Sequence, residues 1–316
     1  MATTPTSPVA VVDIGSNSIK SLVATRGDDG GLAVLQSRTI DARIGAGISR
    51  ENPVLSEPGM AAALTAVRVL ASDAAACGAA SLRLVATSAV RDASNGGDFR
   101  ERVRAATGVA PRILTGDEEA ALIGRGLLCD PALRDLRNFT VCDLGGGSLE
   151  CIGFADRAIR GKISLPLGCV RLTERFVTDP AAPVPSEELA AIAAHTGASL
   201  ASSGFDFTAT RGTVLVGTGG TISTARAILG RRAGLKFETS DPVLPLHRLG
   251  PLLDEVAALP LAARRAIPGL PPARADVFPA ALATVMALLG HAGSGAVRHS
   301  LCNLRYGIAA EALGLR

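Results

Sequence analysis

The sequence predicts an α/β protein of two similar domains that flank an interdomain cleft. The chain has 316 residues, the usual length of two domains. One layout, three strands followed by helices and short buried strands, occurs twice, and Asp143 lies 130 residues after its counterpart Asp13. Internal repetition of this kind indicates two similar structural units. A cleft between two domains is a favoured place for a ligand, so we expect the functional site there.

Two segments carry the repeat. They are VVDIGSNSIKSLVA, residues 11–24, and VCDLGGGSLECIGF, residues 141–154. In each segment an apolar run is interrupted by Asp, small residues follow, and a strand-like run resumes. The aligned pairs are Asp13 and Asp143, Gly15 and Gly145, and Ser18 and Ser148. Each segment therefore predicts a tight β-hairpin with small residues at its tip.

The hairpin tips predict an anion-binding site. A dinucleotide fingerprint needs a helix after its glycines, whereas a strand pattern follows Gly147, and a lysine-bearing phosphate loop is absent. Glycine lets backbone N–H groups converge on an anion. Asp13 and Asp143 would repel a bare phosphate, so the pattern favours a divalent cation between carboxylate and phosphate, as Mg²⁺ is usually bound. An ordinary glycine cluster is the alternative for one hairpin, and the matched second copy disfavours it.

The N-terminal domain is predicted over residues 1–130, after a loose tail at 1–8. Alternating apolar residues predict strands at 9–14, 18–25 and 32–40. A helical pattern runs from Glu57 to Cys77 and ends at Gly78. The remaining predicted elements are a buried strand at 82–87, a helix at 97–108, a short strand at 112–114 and a helix at 115–128.

The C-terminal domain is predicted over residues 131–316 and repeats this plan. Its predicted strands are 139–144, 148–154, 157–165 and 213–217, and its predicted helices are 170–177, 186–203 and 221–229. The later residues are predicted to be mostly helical, with an interruption at PGLPPAR. The last helix, Leu304 to Leu313, is free in this prediction to pack on either half.

Composition excludes several function classes. A formal net charge of +3, without a basic stripe or a known module, argues against a nucleic-acid binder. The six cysteines form no CxxC pair and mostly lie in apolar runs, which favours buried free thiols over disulfides or zinc. The histidines at 195, 247, 291 and 299 show no ligand spacing. We see no secretion signal and no membrane span, so a cytoplasmic protein without membrane partners is expected.

The chain resembles the exopolyphosphatase/guanosine pentaphosphatase family, within the superfamily of sugar kinases, Hsp70 chaperones and actin. The resemblance runs along almost the whole length. Its landmarks are DIGSNSIK, ATSAVRDASNG, TGDEEAALI, DLGGGSLE, LPLGCVRLTE, GTGGT and GLPPARADVFPAAL. It implies two RNase H-like, actin-like ATPase domains, in the short two-domain form of the family with a short binding track for phosphates.

The resemblance also implies metal-dependent hydrolysis of a terminal phosphoanhydride. Glu119 would be the general base and Arg91 would clamp the terminal phosphate. The residues implied to bind phosphate are Gly15, Ser16, Asn17, Ser18, Gly145, Gly146, Gly147 and Ser148. Asp143 and Glu150 would hold the metal, Mg²⁺ or another divalent cation such as Mn²⁺, with Asp13 opposite.

The residues themselves are compatible with these roles. Glu119 stands at a predicted helix start, where a carboxylate is electrostatically favoured, and Glu118 is the less favoured neighbour. Arg91 lies in a polar, turn-rich segment, where a guanidinium could fork onto phosphate. Simple surface or first-turn roles are the alternatives for both. One departure from the family is Ala121, where relatives commonly carry arginine, and Arg125 could partly substitute.

Three functions remain open on the sequence. The leading hypothesis is a phosphohydrolase that releases orthophosphate from polyphosphate or guanosine pentaphosphate. A small-molecule kinase of the same superfamily is the second, although no motif indicates a sugar or acid pocket. A non-catalytic sensor of polyphosphate, guanosine pentaphosphate or guanosine tetraphosphate is the third. The oligomeric state is open, with a homodimer as one alternative.

Overall fold

The fold consists of two mixed β-sheets, each covered by helices. The structure is a computed structural model that describes residues 7–208 and 215–315. Within these residues the strands are β1 Val9–Ile14, β2 Ser18–Arg26, β3 Leu32–Asp41, β4 Ser81–Ala86, β5 Arg112–Ile113, β6 Phe139–Leu144, β7 Leu149–Ala155, β8 Ala158–Leu165, β9 Leu215–Thr218, β10 Val243–Pro245 and β11 Ala296–His299. The α-helices in the same residues are α1 Glu57–Ala76, α2 Ser88–Asp92, α3 Gly96–Thr107, α4 Gly116–Leu127, α5 Cys169–Phe176, α6 Ser186–Ser202, α7 Gly220–Arg232, α8 Leu246–Ala258, α9 Leu261–Arg264, α10 Phe278–Ala292 and α11 Leu304–Ala312.

The chain divides into two compact units. The first contains the residues up to Arg134 together with those from Cys302 onward, and the second is Asp135–Leu301. The last helix, α11, therefore belongs to the first unit, where it packs against α4 and β1. The connections between the units, at 134–135 and 301–302, follow the C-terminus of α4 and precede the N-terminus of α11, and these two termini are adjacent where Gly126 meets Asn303.

The two sheets share one topology. In the first unit the strand order is β3-β2-β1-β4-β5, and in the second it is β10-β11-β9-β6-β7-β8. In each sheet the first three strands in sequence form an antiparallel meander, and the next strand pairs in parallel with the first strand of that meander. The repeat seen in the sequence is thus a repeat of fold, with β10 as an additional edge strand.

The first unit buries its central strand on both faces. Five of the six residues of β1 are apolar, and the exception is Asp13. This composition fits a strand that is packed against both α1 and α11. The helices α4 and α11 approach each other so closely that a side chain on Gly126 would collide with the carbonyl of Asn303, and one on Gly307 with that of Leu122. This close packing fixes α4 against the sheet.

Helix α1 is long and apolar enough to span a membrane by length and composition, with a mean hydropathy of 1.2. Its apolar residues recur at helical spacing and are buried in the unit, from Met60 and Ala63 to Val67, Leu70 and Ala74. It contacts β1, β2 and α3. An amphipathic stripe of this kind is the core-facing side of a globular-protein helix.

The structure differs from the sequence prediction in the second unit. The region after residue 230, predicted as mostly helical, also contains β10 and β11. These strands have three and four residues, too few for an alternating pattern to stand out. The predicted strand 213–217 is β9 from Leu215 onward, and its first two residues lie outside the described residues.

Candidate active site

The first loop is the turn between β1 and β2. The hairpin pairs Ile14 with Ile19, so Gly15, Ser16, Asn17 and Ser18 form its tip. Ser16, Asn17 and Ser18 are all buried. The Oγ atoms of Ser16 and Ser88 are 3.0 Å apart, which ties the tip to the start of α2.

The second loop is the turn between β6 and β7. Leu144 pairs with Leu149, and the N–H of Gly145 donates to the carbonyl of Ser148 over 3.0 Å. Gly168, the residue before α5, lies so close to this loop that a side chain there would collide with the backbone of Gly146 and Gly147. The loop therefore rests directly on the N-terminus of α5.

In both loops, backbone carbonyl oxygens accept hydrogen bonds from N–H groups of other segments. In the second loop the N–H of Cys169 donates to Gly145 over 3.0 Å, and that of Val170 to Gly146 over 2.8 Å. In the first loop the N–H of Gly45 donates to Ser16 over 2.8 Å. Because these carbonyls are engaged within the protein, they are not available to face and repel an anion at the loops.

Asp143 and Glu150 are direct cross-strand neighbours on β6 and β7, next to the second loop. Glu150 is buried and accepts a hydrogen bond of 2.7 Å from the Oγ of Ser164 on β8. Asp143 lies against Gly219, where any side chain would collide with its carboxylate. Like charges directly opposite each other in a sheet destabilise it, so this pair is suited to a cation.

The donor set fits Mg²⁺ better than a metal held by protein alone. Among the described residues, no three Asp, Glu, His or Cys side chains cluster closely enough to hold a metal. Mg²⁺ typically takes one or two carboxylates and fills its remaining positions with phosphate oxygens and water. The two carboxylates Asp143 and Glu150 beside an anion loop match that pattern.

Asp13 is the matching acid of the first unit. It pairs across the strands with Lys20. Its Oδ1 is buried and has no hydrogen-bond partner within residues 7–208 and 215–315. Burial raises the pKa of Asp13 above its ordinary value, and the nearby charges of Lys20 and Arg305 offset part of this rise.

Glu119 and Arg91 form an ion pair in the first unit. The Nη1 of Arg91 is 3.0 Å from the Oε2 of Glu119 and 2.9 Å from the carbonyl of Leu114. The side chain of Glu119 is 9% exposed. The sequence placed Arg91 in a turn-rich segment, whereas the structure has it on the short helix α2. Because α2 begins at Ser88, the first loop is one hydrogen bond away from the helix that carries Arg91.

Glu118, the residue before Glu119, caps a helix. It completes a capping box at the start of α4, in which its Oε2 accepts from the N–H of Thr115 over 2.9 Å and Thr115 accepts from the N–H of Glu118. Its Oε1 is 2.5 Å from Arg112. These hydrogen bonds lower the pKa of Glu118. A carboxylate committed to a helix cap on the exposed side is a poor candidate for a general base.

Three polar side chains at the turn from β9 to α7, which lies against Asp143, were not predicted as site residues from the sequence. Thr218 and Thr221 flank the glycines of GTGGT, and their buried Oγ1 atoms have no hydrogen-bond partner in the described part of the chain. The guanidinium of Arg274 packs on Gly220, at the N-terminus of α7, and its Nε likewise has no such partner. The landmarks GTGGT and GLPPARADVF contained these residues, but no spacing rule connects segments so far apart in sequence.

The remaining candidate residues have structural surroundings. Arg125, considered as a substitute at Ala121, has its Nη1 3.5 Å from Glu311 on α11. All six cysteines are free, as predicted, and burial raises the pKa of both Cys142 and Cys151. Among the histidines, His195, His291 and His299 contact aromatic rings.

The structure therefore brings the predicted residues together in two groups. The first loop, Arg91 and Glu119 lie in the first unit, with Asp13 on the strand leading into that loop. The second loop, Asp143 and Glu150 lie in the second unit. That the two hairpins face each other across a cleft stays a prediction.

Comparison with a protein-family model gives a match over almost the whole chain. The model of the Ppx/GppA phosphatase family matches residues 22–315. This range includes α2, α4, the second loop and the segment with Arg274.

Several solved structures are similar over nearly their full length. An exopolyphosphatase from Cytophaga hutchinsonii has a TM-score of 0.87 at 24% identity, covering 98% of this chain and 99% of that one. The Ppx/GppA family member of Aquifex aeolicus has a TM-score of 0.77 at 25% identity, covering 98% of both chains. An exopolyphosphatase-like protein has a TM-score of 0.86 at 26% identity, covering 97% of both chains. The predicted fold, two α/β domains of the actin-like type, is confirmed.

Proposed function

The chain belongs to the Ppx/GppA phosphatase family, and from this premise we propose that it is a metal-dependent phosphohydrolase that releases terminal orthophosphate from inorganic polyphosphate, guanosine pentaphosphate or both. The observation that carries the proposal is the partly buried ion pair between Glu119 and Arg91, 3.0 Å long, with Arg91 on a short helix that is hydrogen-bonded to the first loop. Hydrolysis of a terminal phosphoanhydride requires a group that orients the attacking water next to a cationic side chain that binds the phosphate.

In this proposal Glu119 orients the attacking water and accepts its proton. The water oxygen forms a bond to the terminal phosphorus, and the bridging P–O bond breaks, so the shortened chain leaves with the bonding electrons. Glu118 caps α4 and holds its first turn in place, and Arg91 orients the carboxylate of Glu119. Positioning and charge stabilisation of this kind supply most of the catalysis in phosphoryl transfer.

In this proposal the guanidinium of Arg91 binds the terminal phosphate, and the residues of each loop donate to phosphate oxygens. The loop residues are Gly15, Ser16, Asn17, Ser18, Gly145, Gly146, Gly147 and Ser148. The carbonyls of Ser16, Asn17, Gly145 and Gly146 accept hydrogen bonds from other backbone segments, which supports an arrangement in which these loops present donors to an anion. Arg274, packed on the N-terminus of α7, is suited to neutralise further phosphate charge, because a helix N-terminus also favours anions.

Asp143 and Glu150 would hold a divalent cation, with Asp13 as a further candidate. Mg²⁺ bound there would neutralise phosphate charge and polarise phosphoryl oxygens. Support comes from the chemistry of the pair: two carboxylates are direct neighbours across β6 and β7, and Glu150 accepts a hydrogen bond from the neutral hydroxyl of Ser164. The physiological cation, Mg²⁺ or Mn²⁺, is an outcome to be measured.

The proposal is tested by incubating purified protein with Mg²⁺ and, in parallel, short polyphosphate, long polyphosphate and guanosine pentaphosphate. We expect orthophosphate release without any acceptor, abolished by excess chelator and by Glu119→Gln. Release that needs an acceptor would indicate a kinase instead. Tight binding without turnover would indicate a sensor. Either result would overturn the proposed hydrolase.

A further inference from the structure

Each loop is braced by one arginine from the segment that follows the third strand of its own sheet. Arg43 comes after β3, and its Nε donates to the Oδ1 of Asn17 over 3.1 Å. Arg171 comes from α5, after β8, and its Nε donates to the carbonyl of Gly147 over 3.1 Å. Asn17 and Gly147 occupy the same place in the aligned repeats. The two units thus place a guanidinium on equivalent loop positions.

In the first loop the contact decides which end of an amide is available. The side chain of Asn17 has an acceptor oxygen and a donor nitrogen, and the hydrogen-bond network assigns which is which. Because Arg43 can only donate, it holds the oxygen. The Nδ2 of Asn17 is then the remaining group, and it is buried with no hydrogen-bond partner among the described residues. A phosphate accepts hydrogen bonds, so this orientation suits it and the flipped one would repel it.

Arg43 adopts a backbone conformation that a non-glycine residue rarely takes. Its φ is 44°, in the left-handed region. Its own N–H donates to the carbonyl of Asn17 over 2.9 Å, so backbone and side chain hold the same loop residue. Unfavourable backbone geometry persists where the surrounding structure over-determines it, and it is concentrated at functional sites.

In the second loop the arginine completes the engagement of carbonyls. The N–H of Arg171 donates to Gly146 over 3.3 Å and its Nε to Gly147 over 3.1 Å. With the N–H groups of Cys169 and Val170, the carbonyls of all three glycines are bound. An unbound carbonyl in such a loop would be free to turn toward the ligand and repel an anion.

We propose that Arg43 and Arg171 are positioning residues, which occupy the hydrogen-bond acceptors of the two loops so that each loop presents only donors to a phosphate chain. The identity of the ligand rests on the proposed function. The two arginines act through the loops, by fixing the Asn17 amide and the Gly147 peptide.

The first test is Arg43→Gly, with Arg157→Gly as a matched control. Arg157 also has a left-handed backbone, with φ of 60°, and its Nη1 donates to the carbonyl of Leu136, away from the loops in its unit. Glycine accepts this backbone without strain at both positions. We expect Arg43→Gly to keep or raise Tm and to weaken tripolyphosphate binding by about 10-fold or more, since hydrogen bonds to charged groups are affected. We expect Arg157→Gly to leave binding unchanged.

The second test asks whether Arg43 acts through Asn17. Tripolyphosphate binding is measured by calorimetry for Asn17→Ala, Arg43→Gly and the double variant, with Mg²⁺ present. If the arginine works by orienting the amide, Arg43→Gly adds little once the amide is gone, and the two effects are not additive. Additive losses would show that Arg43 acts on the ligand directly or on the fold, and would overturn its assignment as a positioning residue.

The third test concerns the second loop. Arg171→Ala should lower tripolyphosphate affinity by about 10-fold or more, and Arg171→Lys, which keeps a cation and a donor, should recover part of it. If Arg171→Ala does not fold, the lysine variant carries the test. Wild-type protein that binds tripolyphosphate while Arg43→Gly and Arg171→Ala bind it equally well would overturn this inference alone. Wild-type protein that neither binds nor hydrolyses it would overturn the proposed function.

Discussion

Arg91 and Glu119 are joined by a charged hydrogen bond of 3.0 Å between two helices that begin 28 residues apart, α2 and α4. Both side chains are largely withdrawn from solvent, at 23% and 9% exposure. In a poorly solvated environment such a pair interacts more strongly than at the surface. The proposed base, Glu119, is therefore held by the residue proposed to bind the phosphate. When substrate binds, its phosphate and Glu119 would both interact with the guanidinium of Arg91.

The two neighbouring glutamates give the first prediction. Glu119→Gln keeps the size and most hydrogen bonding of the side chain but cannot accept a proton from water. We expect turnover to fall about 10²–10⁴-fold, the range for loss of a general base, with tripolyphosphate binding retained. The matched control is Glu118→Gln, which should be far milder in activity, since Glu118 caps α4 and pairs with Arg112.

Phosphate release by both variants, with binding measured separately, decides this assignment. Near-normal turnover by Glu119→Gln would remove it as the base. Loss of turnover in Glu118→Gln, with a normal Tm, would transfer the role to its neighbour.

Arg91 gives the second prediction. Arg91→Met removes the charged donor proposed to bind the terminal phosphate, and removing one partner of a hydrogen-bonded charge pair between bound partners typically costs about 2–5 kcal/mol. We therefore expect kcat/KM to fall by about 30-fold or more, with Arg91→Lys intermediate because a lysine cannot form a guanidinium fork. The control is Arg112→Lys, an exposed partner of Glu118. Equal kinetics for the methionine and wild-type proteins would contradict the proposed clamp.

The extent to which sequence predicts this molecule depends on how local each signal is. The hairpin strands 9–14 and 139–144 are observed with the predicted bounds, because alternation, burial and a tight turn all lie within one short window. Arg91 could not be assigned to a helix from the sequence, because α2, which follows β4, is only five residues long. Such a short helix is stabilised by tertiary packing rather than by its own propensity.

Side chains that converge from distant segments were beyond this reach. Arg274 packs on Gly220 and Thr218 pairs with Asp143, both from positions far along the chain. The hydrogen bond from Arg43 to the first loop depends on a left-handed backbone that nothing in its own residue type favours. The same holds for α11, which returns to the first unit because Gly126 and Gly307 permit a close approach to α4.

The cation site gives the third prediction. Mg²⁺ should raise the Tm of wild-type protein, since binding to the folded state alone stabilises it by mass action. Asp143→Asn and Glu150→Gln should each abolish most of that rise and most of the activity, while raising Tm in chelator, because the opposing charges are reduced. Thermal melts in MgCl₂ and in chelator measure this. Asp156→Asn, an exposed acid paired with Arg137, is the control, and an unchanged Mg²⁺ response in the two site variants would contradict the assignment.

The fourth prediction concerns Asp13, whose Oδ1 is buried without a hydrogen-bond partner in the described part of the chain. Burial raises its pKa above the ordinary value, although Lys20 and Arg305 act in the opposite direction. A raised pKa in the folded state means that stability from this group is complete below the ordinary pKa and is lost as pH rises through the folded value. Above the ordinary pKa, the buried carboxyl group of Asp13 is therefore a net cost to the fold.

Asp13→Asn removes that charge at nearly constant size. We expect a higher Tm at neutral pH than for wild type, about 2–4 °C for each kcal/mol recovered, and a smaller gain at acidic pH, where the wild-type carboxyl is already protonated. We expect activity to fall in the same variant, because stabilisation gained at a functional site usually costs function. The exposed turn residue Asp28, changed to Asn, is the control and should alter neither property. Lower Tm in Asp13→Asn at neutral pH would show that the carboxylate is satisfied in the folded protein, and full activity would remove Asp13 from the proposed site.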